Sequence, residues 1–159
     1  MPESGLSVLI PVYNRNVTTL VCTLLEQLPD WGGPVEIVCL DDASAPEFQE
    51  LNRLLAVWPA VRYQELPRNV GRSAIRNQLA AAARFPWLLL LDNDSLLPDD
   101  QFVARYAQAR ALAPVLIGAP PTTRCRPLSP SCGCAGTTAI TAKPARPGGA
   151  SKSPTDSLR

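Results

Sequence analysis

The chain has 159 residues, 46% of them hydrophobic, and a net charge of +1. That is enough for one core and too little for two ordinary domains. A near-neutral balance argues against a strongly charged partner such as nucleic acid, and no apolar run approaches the length of a membrane span. With no basic, apolar signal-like opening, the expected location is cytoplasmic, with reduced thiols.

In chain order, Leu6–Val12 (LSVLIPV) is a short apolar run rich in branched residues and reads as a first buried strand. Asn14 or Asn16 is placed to cap the helix VTTLVCTLLEQL, whose apolar residues recur at three and four. Pro29 to Pro34, with Gly32 and Gly33, form the return loop, and VEIVCL (Val35–Leu40) is a second strand ending abruptly in Asp41 and Asp42. Ser44 starts a helix that runs to about Val57. Val61–Leu66 is a third strand, Asn69–Gly71 a turn, and RSAIRNQLAAAAR a strongly helical segment. Trp87–Leu91 is the fourth strand, Pro98–Leu112 the fourth helix, and VLIG the start of a fifth strand.

At Gly118 the composition changes. Residues 1–118 hold nine Arg, no Lys and thirteen acids, for −4, together with all nine aromatic residues. Residues 119–159 hold four Arg, two Lys and only Asp156, for +5, with seven of the seventeen prolines. So little apolar side chain predicts a disordered Pro/Arg/Thr-rich tail over 119–159, and the abruptness of the change also suggests translation out of frame. Cys125, Cys132 and Cys134 lie there, but with no His in the chain a zinc site is not expected.

Strands alternating with helices predict an α/β fold, with a mostly parallel sheet covered by helices on both faces. Three polar clusters then sit at strand carboxyl ends, where open α/β sheets bind ligands: Tyr13-Asn14-Arg15, Asp41-Asp42-Ala43-Ser44 and Asp92-Asn93-Asp94. Each cluster has a bland reading and a chemical one. Asp92 and Asp94 either cap a loop ahead of Pro98, or share a divalent cation that relieves their repulsion, for which oxygen ligands favour Mg²⁺ or Mn²⁺. Asp41 and Asp42 either cap the helix after Ser44, or accept hydrogen bonds from a base N–H or a ribose hydroxyl. Arg72 and Arg76, one helical turn apart, either pair with surface carboxylates or reach a nucleotide or its diphosphate. Tyr13 either covers the end of the first strand or stacks on a base. A dinucleotide-binding reading is weak, because no Gly-x-Gly-x-x-Gly follows the first strand.

LSVLIPVYNR, VEIVCLDDAS, NVGRSAIRNQLA and WLLLLDND, in that order and at these spacings, resemble the family 2 glycosyltransferases of the GT-A fold. The resemblance covers roughly residues 5–118. It implies a Rossmann-like, truncated nucleotide-sugar-binding domain that moves a sugar, with inversion, from a nucleoside-diphosphate donor (UDP-linked by expectation). By it, Pro11 and Tyr13 border the nucleoside, Asp42 holds uracil or ribose, Arg72 helps at the nucleotide, Asp92 contacts ribose or metal, and Asp94 ligates the metal. The family usually has Gly where this chain has Ala43, which makes a positive-φ turn harder to form there. The resemblance identifies no catalytic base, since the family's base and acceptor site follow the fourth strand. A glycan or lipid acceptor therefore stays unnamed, membrane association of a full-length enzyme stays open, and the alternative is an inactive remnant that binds nucleotide and metal.

Overall fold

The computed structural model describes residues 5–118 and 138–142. Its elements are β1 (Leu6–Val12), α1 (Thr18–Gln27), β2 (Val35–Asp41), α2 (Pro46–Arg53), β3 (Val61–Glu65), α3 (Arg72–Ala82), β4 (Trp87–Leu90), α4 (Phe102–Ala109), β5 (Val115–Gly118) and β6 (Thr138–Ala142). They build one sheet in the order β3-β2-β1-β4-β6-β5. β1 pairs in parallel with both β2 and β4, and β2 with β3. The expected mostly parallel α/β sheet is present.

Alternation along the central strands explains the layering. In β1, Leu6, Val8, Ile10 and Val12 join one buried cluster with Leu20, Val21 and Leu24 of α1 and with Phe102 and Val103 of α4. Leu9 points the other way and packs with Val38, Leu40, Leu88 and, from α3, Ile75 and Leu79. Both faces are therefore apolar, as a doubly covered sheet requires. A one-residue slip would exchange the two sets, and full burial of each such side chain is worth about 1.5–3 kcal/mol, so packing fixes the register. At the amino ends of the strands, buried Glu36 accepts from Ser7 Oγ (2.8 Å) and from the Arg84 N–H (2.7 Å). The Ser7 hydroxyl in turn accepts from the Phe85 N–H.

The structure corrects several local expectations. The cap position of α1 is Val17, neither candidate asparagine; Asn16, just before it, accepts from Thr18 N–H (2.9 Å) and Oγ1 (2.7 Å) at the first helical residue. α2 starts at Pro46 rather than Ser44, since proline suits a first helical position that has no intrahelical N–H partner. A 3-10 turn, Leu54–Val57, completes that segment. The largest difference lies beyond Gly118. Five residues of the expected disordered tail, Thr138–Ala142, form β6, antiparallel to both β4 and β5 and lying between them. Three of the five are β-branched, a strand preference that the overall composition concealed. The other residues of 119–159, and with them the expectations of disorder and out-of-frame origin, lie outside the described residues.

Candidate functional site

The chain order reverses at β1, with β2 and β3 on one side and β4 on the other. Such a switch point is where an open α/β sheet leaves a crevice beyond its carboxyl ends. Pro11 shows how this one opens. Leu6 N–H donates to Pro34 O, and Val12 O accepts from Asp42 N–H, so even-numbered residues of β1 bond toward β2. Odd-numbered residues bond toward β4, as Gly5 O does with Trp87 N–H and Leu9 O with Leu91 N–H (3.0 Å). The next donor on that side would be residue 11, and proline has none. A proline is tolerated in this central strand because it sits where the β1–β4 ladder stops, and β1 and β4 can diverge beyond it.

The resulting cleft has a volume of about 410 Å³, and Pro11, Tyr13, Asp42, Arg72, Asp92 and Asp94 all line it. The six residues that the family resemblance assigns to the site thus line one cleft, whereas Asp41, given the same chemical reading as Asp42, does not. Val12, Asn69, Gly71, Ile75, Arg76 and Asn93 complete the lining. Sequence reasoning gives Asn69 and Ile75 no part in a site; Asn69, in the turn before α3, carries the clearer signal of the two.

The two adjacent acids at the end of β2 have different partners. Asp41 is fully buried; its carboxylate accepts from Ser44 N–H (2.7 Å) and from the Tyr63 hydroxyl (2.9 Å). Burial, and next the hydrogen bond to Asp41, push the Tyr63 hydroxyl well above the usual phenol range. Asp42 is 4% exposed, and its two oxygens accept from the N–H groups of Val70 (2.6 Å) and Gly71 (3.0 Å). Asp42 therefore clamps the start of α3, and not α2, the helix that its position in sequence suggested. A carboxylate has about four acceptor positions, so two remain after this clamp.

Around Asp41 the backbone is unusual. Asn14 (φ 46°) and Ala43 (φ 59°) both take left-handed conformations. Ala43 thus adopts the turn that its Cβ was expected to hinder, against about 1–2 kcal/mol of steric cost. The conformation is imposed by partners: Asn14 N–H donates to Ser44 Oγ (2.9 Å), and Ala45 N–H to Asn14 Oδ1 (2.8 Å). These bonds tie the β1–α1 and β2–α2 loops together beneath exposed Tyr13. Arg76 forms an ion pair with Asp92 inside the cleft, and not with a surface carboxylate. Asp99, by contrast, lies outside the cleft, where Arg105, followed by the Gln101 N–H, holds its carboxyl below the usual range.

The donor set can be judged for a metal. Asp92, Asn93 and Asp94, consecutive in the lining of the cleft, offer hard oxygen atoms. Among the described residues no group of three or more His, Cys, Asp or Glu is gathered as an all-protein cage. Mg²⁺ and Mn²⁺ do not need one, because such ions are commonly held by one or two carboxylates plus phosphate oxygens and water. The residues present fit a metal of that kind.

A family profile described as glycosyl transferase family 2 matches residues 7–122. The chain belongs to this family. This family 2 chain is similar to the succinoglycan biosynthesis protein ExoO of Rhizobium meliloti (strain 1021), with 32% identity over 102 residues, covering 64% of this chain and 29% of that protein. Among solved structures it resembles S. aureus TarS 1-349 in complex with UDP-GlcNAc, with a TM-score of 0.59 and 22% identity over 70% of this chain and 33% of that one. It also resembles the mannosyltransferase PcManGT from Pyrobaculum calidifontis in complex with GDP-Man and Mn²⁺, with a TM-score of 0.57 and 21% identity over 65% and 32% of the two chains. At those identities the structural likeness establishes the GT-A fold. The chain spans about a third of the length of these relatives. No helix among the described residues is long and apolar enough to cross a membrane.

Proposed function

We propose that this chain is the donor-binding part of a glycosyltransferase that moves a sugar from a nucleoside diphosphate to an acceptor hydroxyl. The observation that carries the reading is the convergence of Pro11, Tyr13, Asp42, Arg72, Asp92 and Asp94 on one cleft at the switch point of the sheet. Tyr13, 52% exposed, offers a face on which a base stacks. The free acceptor positions of Asp42 suit a base N–H or a ribose hydroxyl, and the clamp on Val70 and Gly71 holds that carboxylate still. α3 begins at the cleft, so its positive end and Arg72 both favour the diphosphate. The TarS and PcManGT structures, with UDP-GlcNAc and GDP-Man, support a nucleotide-sugar ligand, and we take uridine as the base.

Asp94 and Asp92 would hold Mg²⁺ or Mn²⁺, and the PcManGT complex with Mn²⁺ supports that choice. Bound there, the ion would neutralise the negative charge gathering on the departing diphosphate. Transfer with inversion forms a bond from the acceptor oxygen to the anomeric carbon as the bond from that carbon to the diphosphate oxygen breaks. The hydroxyl proton must pass to a base. Among the described residues Asp42, Asp92 and Asp94 are the carboxylates that line the cleft, and each has another task in this reading. That observation favours a second reading, in which the chain binds donor and metal without transferring sugar.

Calorimetry with UDP in the presence of Mn²⁺ tests the binding, and a panel of UDP-sugars with analysis of released UDP tests the transfer. Metal-dependent binding with slow donor hydrolysis supports the first reading, and binding with no turnover supports the second. Absence of UDP and GDP binding at millimolar concentration, with the chain folded, would overturn both.

A further inference from the structure

We infer that Arg76 is an internal counter-ion for Asp92 that a nucleoside diphosphate draws away, so that metal and nucleotide bind as a coupled pair. The inference rests on the donor-binding reading and adds to it a regulation of the metal site by a residue of α3.

Three observations carry it. Arg76 NH2 donates to Asp92 Oδ1, and the two side chains, 27% and 25% exposed, both line the cleft. Among the described residues neither side chain has a second hydrogen-bond partner that would build the pair into the fold. The backbone beneath Arg76 is fixed: Ile75 and Leu79 are 2% and 0% exposed in the core under α3, and Asp42 holds the N–H groups where that helix begins. The Arg76 side chain can therefore move while the backbone that carries it stays in place.

Charge then dictates the order of events. In this structure the guanidinium satisfies the carboxylate that a metal would use. A divalent cation arriving alone must displace it and then sit beside an unpartnered positive charge, which weakens binding. A diphosphate removes the conflict, because its oxygens offer the planar guanidinium a two-point partner and release Asp92 to the metal. Each ligand therefore improves the site for the other, and the coupling is the same in both directions. Arg72, one turn earlier on the same face, lines the same cleft and holds no carboxylate among the described residues, which leaves it available to the nucleotide from the start.

The test uses the full 159-residue chain at low salt, with Mn²⁺ followed by electron paramagnetic resonance and UDP by calorimetry. In the unmodified chain, saturating UDP should tighten Mn²⁺ markedly, and Mn²⁺ should tighten UDP by the same factor. Arg76→Gln should bind Mn²⁺ alone more tightly by roughly tenfold, the scale of one charge-assisted hydrogen bond, and the mutual enhancement should shrink toward one. Arg76→Lys keeps the charge without the fork and should fall between; it also serves if the Gln variant loses its cooperative thermal unfolding. Unchanged or weaker Mn²⁺ binding in both variants, beside an unmodified chain that binds both ligands, overturns the counter-ion role. An unmodified chain that binds neither Mn²⁺ nor UDP overturns the donor-binding reading, and this inference with it.

Discussion

Replacing Asp42 with alanine separates a scaffold role from a ligand role for that carboxylate. It removes two hydrogen bonds from an ionised acceptor, to Val70 N–H at 2.6 Å and Gly71 N–H at 3.0 Å, and empties a site only 4% exposed. The bond from Asn69 Nδ2 to Asp42 O survives, because no side-chain atom of Asp42 is involved. Bonds to a charged group contribute about 1.5–3 kcal/mol each, they are not additive, and half-buried Val70 and Gly71 recover part of the loss through water, so the expected destabilisation is about 2–4 kcal/mol. Asp42→Asn retains one acceptor oxygen but sets an amide N–H against the other donor, for a loss of about 1–2 kcal/mol. Urea unfolding of the full chain, followed by circular dichroism, measures both values, and a UDP titration run in parallel reads the site. Because the clamp fixes the start of α3, both variants should also bind UDP more weakly, in the same order as their stabilities. A loss of under about 0.5 kcal/mol for the alanine variant, with UDP binding abolished, would refute the reasoning: the carboxylate would then serve the ligand and not the loop.

Other expectations follow from the same geometry. Asp94→Ala should weaken Mn²⁺-dependent UDP binding by more than roughly tenfold, whereas Asp99→Ala, outside the cleft and paired with Arg105, should leave it unchanged; calorimetry showing equal losses would return Asp92 and Asp94 to a capping role. Ala43→Gly relieves a left-handed alanine at φ 59° and should raise stability by about 1 kcal/mol, seen as a higher urea midpoint at constant slope. Alkaline pH should destabilise the fold in two steps. Burial pushes the Cys39 thiol from its ordinary 9.0 to about 12, and Tyr63 is raised above its ordinary 10.0, by burial first and then by Asp41. Both groups stay protonated in the fold after the unfolded chain has begun to ionise, so the stability they contribute is complete below about pH 9 and falls as pH rises from there. Tyr63→Phe should flatten the part of the fall above about pH 10; a stability constant from about pH 8 to 11 would contradict the assignment.

Much of the site was legible in the linear sequence because its signals are local. Short apolar runs ending in polar clusters marked three strands and their carboxyl ends, and with them Tyr13, Asp42, Asp92 and Asp94; Arg72 was marked by its place after the Gly71 turn, and Pro11 by the family resemblance. The alternation that buries both faces of the sheet is likewise a period-two property: Val8 and Leu9 declare it by being apolar side by side. What the sequence could not assign was partnership. Asp41 and Asp42 are chemically identical neighbours, yet one turns to Tyr63 and Ser44 and the other to the backbone before α3, because successive strand residues point to opposite sides. Arg76 and Asp92 are sixteen residues apart and meet only because α3 packs on the face that carries Leu9 and leads back to β4. β6 was missed for a related reason: a five-residue segment has little signal of its own and becomes a strand through the open hydrogen-bonding edges of β4 and β5. Periodicity and turn chemistry are written residue by residue, so the sequence by itself determined the elements up to Gly118 and where their polar ends fall. Which side chain neutralises which, and which strand lies beside which, depend on contacts between distant segments, and those only the tertiary structure decided.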